Sequence, residues 1–243
     1  MTGLELLALG VGDAFSARWY SSCLLLRCGQ AHLLVDCPHP IRKMLAEAKA
    51  GVDVGDVLAV ALTHLHADHS SGLEGFGYFC RFVLGRRARL VAHPAVLARL
   101  WEGHLAAGME QLIDAPGSPP RSLELADYFE LTPLVDSVTI GPFRIESRLT
   151  VHHVPTTALR ITAGGRCLGY SADTAFDPSL IEWLSSADSI VHETNYGVHT
   201  PYARLAELPE ALRARMRLIH YPDDFSAERS VIRVLEQGEV LRV

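Results

Sequence analysis

The segment Thr63-His64-Leu65-His66-Ala67-Asp68-His69 puts three imidazoles and a carboxylate into six consecutive positions. Imidazole nitrogens and carboxylate oxygens are the donors that zinc-like cations prefer. The chemistry they imply is metal-assisted hydrolysis, in which a bound cation acidifies water. One motif cannot complete two metal sites, so further donors must come from elsewhere among the twelve histidines. The pair His152-His153, then His192 and His220, each follow an apolar strand-like run. Asp173 also follows such a run, and Asp177 is already placed to cap the next helix, which leaves Asp173 free for another role.

The elements around these residues read as strands that break into loops. Val57–Leu62 is an apolar run ending where the histidines begin, and strand ends are where α/β proteins place their chemistry. Leu4–Leu9, Cys23–Arg27 and His32–Val35 are strand candidates, the last two joined by a turn at Gly29-Gln30. Helices are expected over Ile41–Ala50, over Ser70–Leu84 with breaks at Gly75 and Gly77, and over Pro94–Ala107. Leu90–Ala92 reads as a strand, and Gly108–Pro133 as an irregular insertion or lid. Strands resume at Ser137–Ile140, Phe143–Val151, Ala158–Thr162 and Arg166–Tyr170, with Gly164-Gly165 as a hairpin turn. The rest reads as a helix at Pro178–Ser185, a strand at Ser189–Val191, helices within Pro201–Arg215, a strand at Arg217–Ile219, a helix over about Ala227–Gln237 and a last strand at Val240–Val243. Two packed sheets with helices outside satisfy this order, in one domain spanning residues 1–243.

Composition narrows the partners. A net charge of −6 gives no global positive field for a polyanion, although Arg81, Arg86, Arg87 and Arg89 cluster as either a solvated face or a phosphate-facing rim. No run approaches the roughly 20 apolar residues of a membrane span. No secretory signal is visible, so a cytoplasmic location and no membrane association are expected. Five cysteines with no Cys-x-x-Cys pair point to free thiols rather than a disulfide framework or a structural zinc site. The aromatic run Phe76, Tyr78, Phe79, Phe82 has core spacing, with a pocket wall or dimer face as the other reading.

Taken in order, the motifs resemble the metallo-β-lactamase superfamily, and within it the branch of ribonuclease Z and related phosphodiesterases. The residues that carry the resemblance are Leu33-Leu34-Val35-Asp36, the histidine segment with Ser71-Gly72-Leu73, His152-His153-Val154-Pro155, Tyr170–Thr174, His192-Glu193-Thr194 and Leu218-Ile219-His220. The resemblance implies an α+β fold, an αββα sandwich of two mixed sheets with helices on the outer faces. It also implies two divalent cations, zinc first, with iron or manganese as alternatives. His64, His66 and one of the paired histidines would hold one cation; Asp68, His69 and His220 the other; Asp173 would bridge them.

Strand alternation would aim His153 inward. The register of the resembling branch, with the ligand eight residues before Arg160-Ile161, favours His152 instead. Glu193 and His153 would then stand behind the ligands and orient their rings. His192 matches a histidine that the branch places near the scissile phosphate, so Asp68 and His192 are the expected catalytic residues. Histidines 32, 39, 93, 104 and 199 read as surface or structural, although His199 could line the pocket mouth.

The expected reaction is hydrolysis by a hydroxide held between two cations, on a small phosphodiester or a cyclic nucleotide. The tilt toward phosphodiesters comes from Asp68 and from a fully liganded second cation. Hydrolysis of a lactone, thioester or carboxylic ester is the alternative, and a non-catalytic metal-binding protein the second alternative. Ribonuclease Z carries its tRNA-gripping arm between the fourth histidine and the bridging aspartate. Here that interval is 21 positions (173 − 152), room for a hairpin only, so a small-molecule substrate is expected and tRNA is not. A homodimer is common in the resembling branch and is left open.

Overall fold

The computed structural model describes residues 3–243. Five strands open the chain: β1 (Leu4–Gly10), β2 (Cys23–Cys28), β3 (Ala31–Val35), β4 (Val57–Ala61) and β5 (Ala88–Ala92). A two-residue hairpin, β6 (Gln111–Leu112) and β7 (Arg121–Ser122), precedes β8 (Phe129–Pro133). The second half holds β9 (Ser137–Ile140), β10 (Phe143–Leu149), β11 (Thr157–Ala163), β12 (Arg166–Tyr170), β13 (Ser189–Glu193) and β14 (Met216–Ile219), and β15 (Val240–Arg242) returns to the first half.

Two mixed sheets result, in the orders β15-β1-β2-β3-β4-β5-β8 and β14-β13-β12-β11-β10-β9. In both, antiparallel hairpins give way to parallel strands: β3, β4, β5 and β8 in the first, β12, β13 and β14 in the second. This is the metallo-β-lactamase αββα fold that the motifs led us to expect.

The period of two along each strand explains the layering. Leu4, Leu6 and Ala8 of β1, Leu24 and Leu26 of β2, and Leu33 and Val35 of β3 face the second sheet, where they pack with Phe143, Ile145, Leu159 and Ile161. The alternate residues Leu7, Leu9, Leu25 and Leu34 face outward onto the helices Ile41–Glu47, Leu73–Tyr78 and Pro94–Leu100. Strands covered on both faces read as unbroken apolar runs, as these do. Asp177 caps the helix Pro178–Leu184 by accepting from the Ser179 amide at 2.8 Å.

One expectation is corrected and two open readings are narrowed. The helix expected at Ala227–Gln237 is only a 3₁₀ turn at Ala227–Arg229. The chain then runs extended, with the Leu218 amide donating to Arg233 O (2.9 Å) and the Leu235 amide to Leu218 O (2.8 Å). Pairing with the free edge of β14 and burial of Ile232 and Leu235 outweigh helix propensity there. The stretch 108–133 is not a free loop: Asp114 and Arg121 clamp the β6–β7 hairpin at 2.6 and 3.1 Å, and its last five residues form β8. The arginine cluster makes no phosphate rim. Arg86 donates to the carbonyls of Val54, Gly55 and Val57, Arg81 to that of Asp127, and Arg89 pairs with Glu130.

Phe143 is fully buried between the sheets. Its replacement by alanine is expected to cost about 3–5 kcal/mol. Thermal denaturation should show the midpoint falling by roughly 10 °C.

Candidate metal centre

The donors gather at the C-terminal ends of parallel strands. Behind β4, the chain turns through Thr63–His66 and enters a short helix, Ala67–Ser70, whose first turn carries Asp68 and His69. Asp36 follows β3, Asp173 follows β12, Glu193 ends β13 and His220 follows β14. Among the described residues, three of the four non-glycine residues with left-handed backbone, Asp36 (φ 62°), Ala172 (φ 49°) and His220 (φ 57°), lie at these ends. Such backbone costs energy and persists where surrounding contacts enforce it. A two-way backbone clamp is one such contact: the Cys37 amide donates to His69 O (2.7 Å) and the Gly72 amide to Cys37 O (2.8 Å). Only glycine fits at 72, because a Cβ there would lie 2.5 Å from Pro38 O.

Two four-donor groups form, and Asp173 belongs to both, while Glu193, His199 and His220 make a smaller third. His64, His66, His152 and Asp173 make one; Asp68, His69, Asp173 and His220 make the other, with donor atoms within 4.8 Å of one another in each. His66 Nδ1 lies 3.1 Å from His64 Nε2 and 3.3 Å from His152 Nε2. His220 Nε2 and His69 Nε2 lie 3.2 and 3.4 Å from Asp68 Oδ2. The His152 side chain is fully buried, whereas His153 is exposed and stacks on His66 and His152 at centroid distances of 4.7 and 4.2 Å. Alternation does not apply here, because β10 ends at Leu149 and both histidines lie in the bend that follows.

Hydrogen bonds behind the rings fix their tautomers. Thr63 Oγ1 donates to Asp36 and so accepts from His64 Nδ1 at 3.0 Å, which leaves His64 Nε2 bare toward the cluster. His69 Nδ1 donates to Asp36 Oδ2 at 2.8 Å, and His69 Nε2 faces inward. His69 Nε2 and Asp173 Oδ1 are buried 3.3 Å apart, and neither makes a hydrogen bond. Buried polar atoms left without partners are rare in folded proteins, and here a divalent cation would satisfy them. The donor set fits divalent metal binding.

The electrostatics divide the two groups. Burial, reinforced by His69, holds His64 well below its ordinary value, and burial drops His152 to about 4 against the pull of Asp173. In the other group burial is overcome. Asp173 and the Asp68 hydrogen bond push His220 up to about 9, and Asp173 and Asp36 raise His69 well above its ordinary value. Burial would raise Asp68, but its hydrogen bond to His220 and the neighbouring His69 ring keep it ionised well below the usual carboxylate range.

His192 does not join the cluster. Its side chain is buried, its Nδ1 bonds the carbonyl of Glu193 at 2.7 Å, and burial lowers it to about 4. The residue in the expected place is His199. Its Nδ1 lies 3.0 and 3.1 Å from the two Glu193 oxygens and 4.0 Å from Asp173 Oδ2, and its ring is 5.3 Å from those of His152 and His220. Burial would lower His199, but Glu193 outweighs it and raises it. Glu193 itself is buried, accepts from the Thr174 amide at 2.6 Å and lies 3.8 Å from His220 Nδ1.

Asp36 also acts through its neighbours: it fixes His69 directly and His64 through Thr63. Asp36→Ala is therefore expected to weaken metal affinity about 10–100-fold, read by competition with a chromophoric chelator. An affinity equal to that of the unsubstituted chain would refute this role.

Comparison with known proteins agrees with the geometry. The family model described as Anti-Pycsar protein Apyc1 matches residues 4–241. A protein of that name from Saccharibacillus brassicae is 31% identical over 257 residues, covering 98% of this chain and 99% of its own. One from Bacillus phage 010DV004 is 31% identical, covering 97% and 96%. The crystal structure of the metallo-β-lactamase fold protein YhfI from Bacillus subtilis superposes with a TM-score of 0.77 at 20% identity, covering 99% of this chain and 100% of that one. Among the described residues, no helix is long and apolar enough to cross a membrane. Fold and donor set together fit divalent metal binding on a metallo-β-lactamase scaffold. The chain belongs to the Anti-Pycsar protein Apyc1 family.

Proposed function

We propose that the chain hydrolyses small phosphodiesters, cyclic nucleotides first among them, with two divalent cations, zinc the leading candidate. The observation that carries this reading is the pair of complete donor groups sharing Asp173. His64, His66 and His152 would hold one ion, Asp68, His69 and His220 the other, and Asp173 both. Two adjacent cations supply an acidified water and spread charge over the attacking and leaving oxygens of an in-line displacement.

The chain's own residues do the rest. Asp68, kept ionised by His220 and His69, adds a fixed negative charge to its ion's site. His199, its side chain 18% exposed and held on Glu193, is placed to give a proton to the leaving oxygen, the role expected of His192. The 20 residues between His152 and Asp173 hold only the β11–β12 hairpin (173 − 152 − 1), which supports a small substrate over tRNA.

The metal-loaded protein is expected to turn over cyclic nucleotides and other small diesters, and Asp173→Ala to abolish this. Turnover of lactones or thioesters with none of diesters overturns the reading. His199→Ala is expected to slow hydrolysis of an alkyl-oxygen leaving group about 100-fold, and to slow a p-nitrophenolate leaving group far less. Equal losses on both would remove His199 as the proton donor.

A further inference from the structure

Phe15 is 91% exposed, more than any other large apolar side chain among the described residues. Its backbone is nevertheless held. The Phe15 amide donates to Asp13 Oδ1 (2.9 Å), Ser16 Oγ to Asp223 Oδ1 (2.6 Å), and the Ala17 amide to Asp223 Oδ2 (2.8 Å). Asp13 ties this loop to the metal centre. Its other oxygen accepts from Asn195 Nδ2 at 2.9 Å, and the same nitrogen donates to the carbonyl of His220 at 3.1 Å. The His220 amide in turn donates to Val11 O at 2.8 Å.

A second exposed aromatic shares that anchor. Tyr196 is 65% exposed, its amide donates to Asn195 Oδ1 (2.8 Å), and its hydroxyl bonds Asp224 at 3.1 and 3.2 Å. The turn it opens ends at His199, whose amide donates to Tyr196 O at 3.4 Å. Two water-facing rings thus lie within three residues of Asp13, Asn195 and His199, on loops bonded to one another and to His220. Among the described residues the next most exposed aromatic ring is Phe82 at 54%, whereas Tyr128, Phe129, Phe143 and Tyr170 are buried.

We infer that Phe15 and Tyr196 form the rim on which the substrate's nucleobase stacks while its phosphodiester sits at the metal centre. This rests on the phosphodiesterase reading above and adds what selects the substrate. A flat heteroaromatic base matches the chemistry of the rim, because ring stacking favours bases without a hydrogen-bond code. Tyr196, already held through its hydroxyl by Asp224, loses little freedom on binding.

The test compares cyclic nucleotides bearing purine and pyrimidine bases with the methyl riboside 3′,5′-cyclic phosphate, which has the same diester and no base. Phe15→Ala and Tyr196→Ala are expected to raise KM for the nucleotides on the order of tenfold with kcat held. KM for the base-free diester should stay unchanged. Tyr196→Phe, which keeps the ring and loses the Asp224 bonds, should retain the nucleotide KM. Unchanged nucleotide KM values in both alanine variants, or equal losses on the base-free diester, overturn the stacking role. A fall in oligomer mass by sedimentation on Phe15→Ala also overturns it, in favour of a second copy of the chain as the ring's partner. Wild-type protein that cleaves other diesters but no cyclic nucleotide overturns the substrate reading itself, and this inference with it.

Discussion

Asp173 is the charge around which the site is assembled. Its carboxylate is buried, and imidazole nitrogens of His64, His69, His152, His199 and His220 lie within 4.0 Å of it. A carboxylate taken out of water is costly unless it is paired. Here its partners come from four separate places in the sequence, so satisfying one charge fixes the ends of four strands at once. Asp36 and Glu193 repeat the arrangement one layer out, each a buried carboxylate that faces a histidine on one side and backbone amides on the other.

That arrangement needs both sheets. The first supplies Asp36 and the 64–69 segment, the second His152, Asp173, Glu193 and His220. Neither half contains either of the two groups that share Asp173. The Thr157 amide donates across to Thr63 O at 3.1 Å, and this bond fixes the register between the halves beside the first histidine. The left-handed backbone at Asp36, Ala172 and His220 costs roughly 1–3 kcal/mol at each position. The clamps around Cys37 and the His220–Val11 bond hold it in place.

What could be read from the sequence follows from how local each signal is. The 64–69 donors stand side by side, so their chemistry is visible without a fold. Asp173 and His220 are visible because each follows an apolar strand, and strand ends are where donors belong. Periodicity fails where the strand itself stops. It would have turned His153 inward, and His152 needed a register that no single chain contains. His192 has a strand-end position too, but its ring lies in the packed interior beside its own backbone. His199 lies on an irregular loop with no period, and only Glu193, six residues earlier, brings it to the centre. The extended segment after Arg229 was hidden for the same reason: a strand edge far away in sequence decides its conformation, not its own residues.

The short strand β15 has a consequence for how the molecule comes together. Leu6 faces Leu241 across the first sheet, a separation of 235 positions (241 − 6). Before that pairing closes, β1 presents an open edge whose side chains are apolar on both faces. Such an edge invites pairing with other chains, and contacts this distant form slowly. Once in place, β15 is only three residues long and ends in an exposed arginine, so the finished sheet offers little for another chain to extend. The hazard belongs to the assembling chain rather than to the folded one.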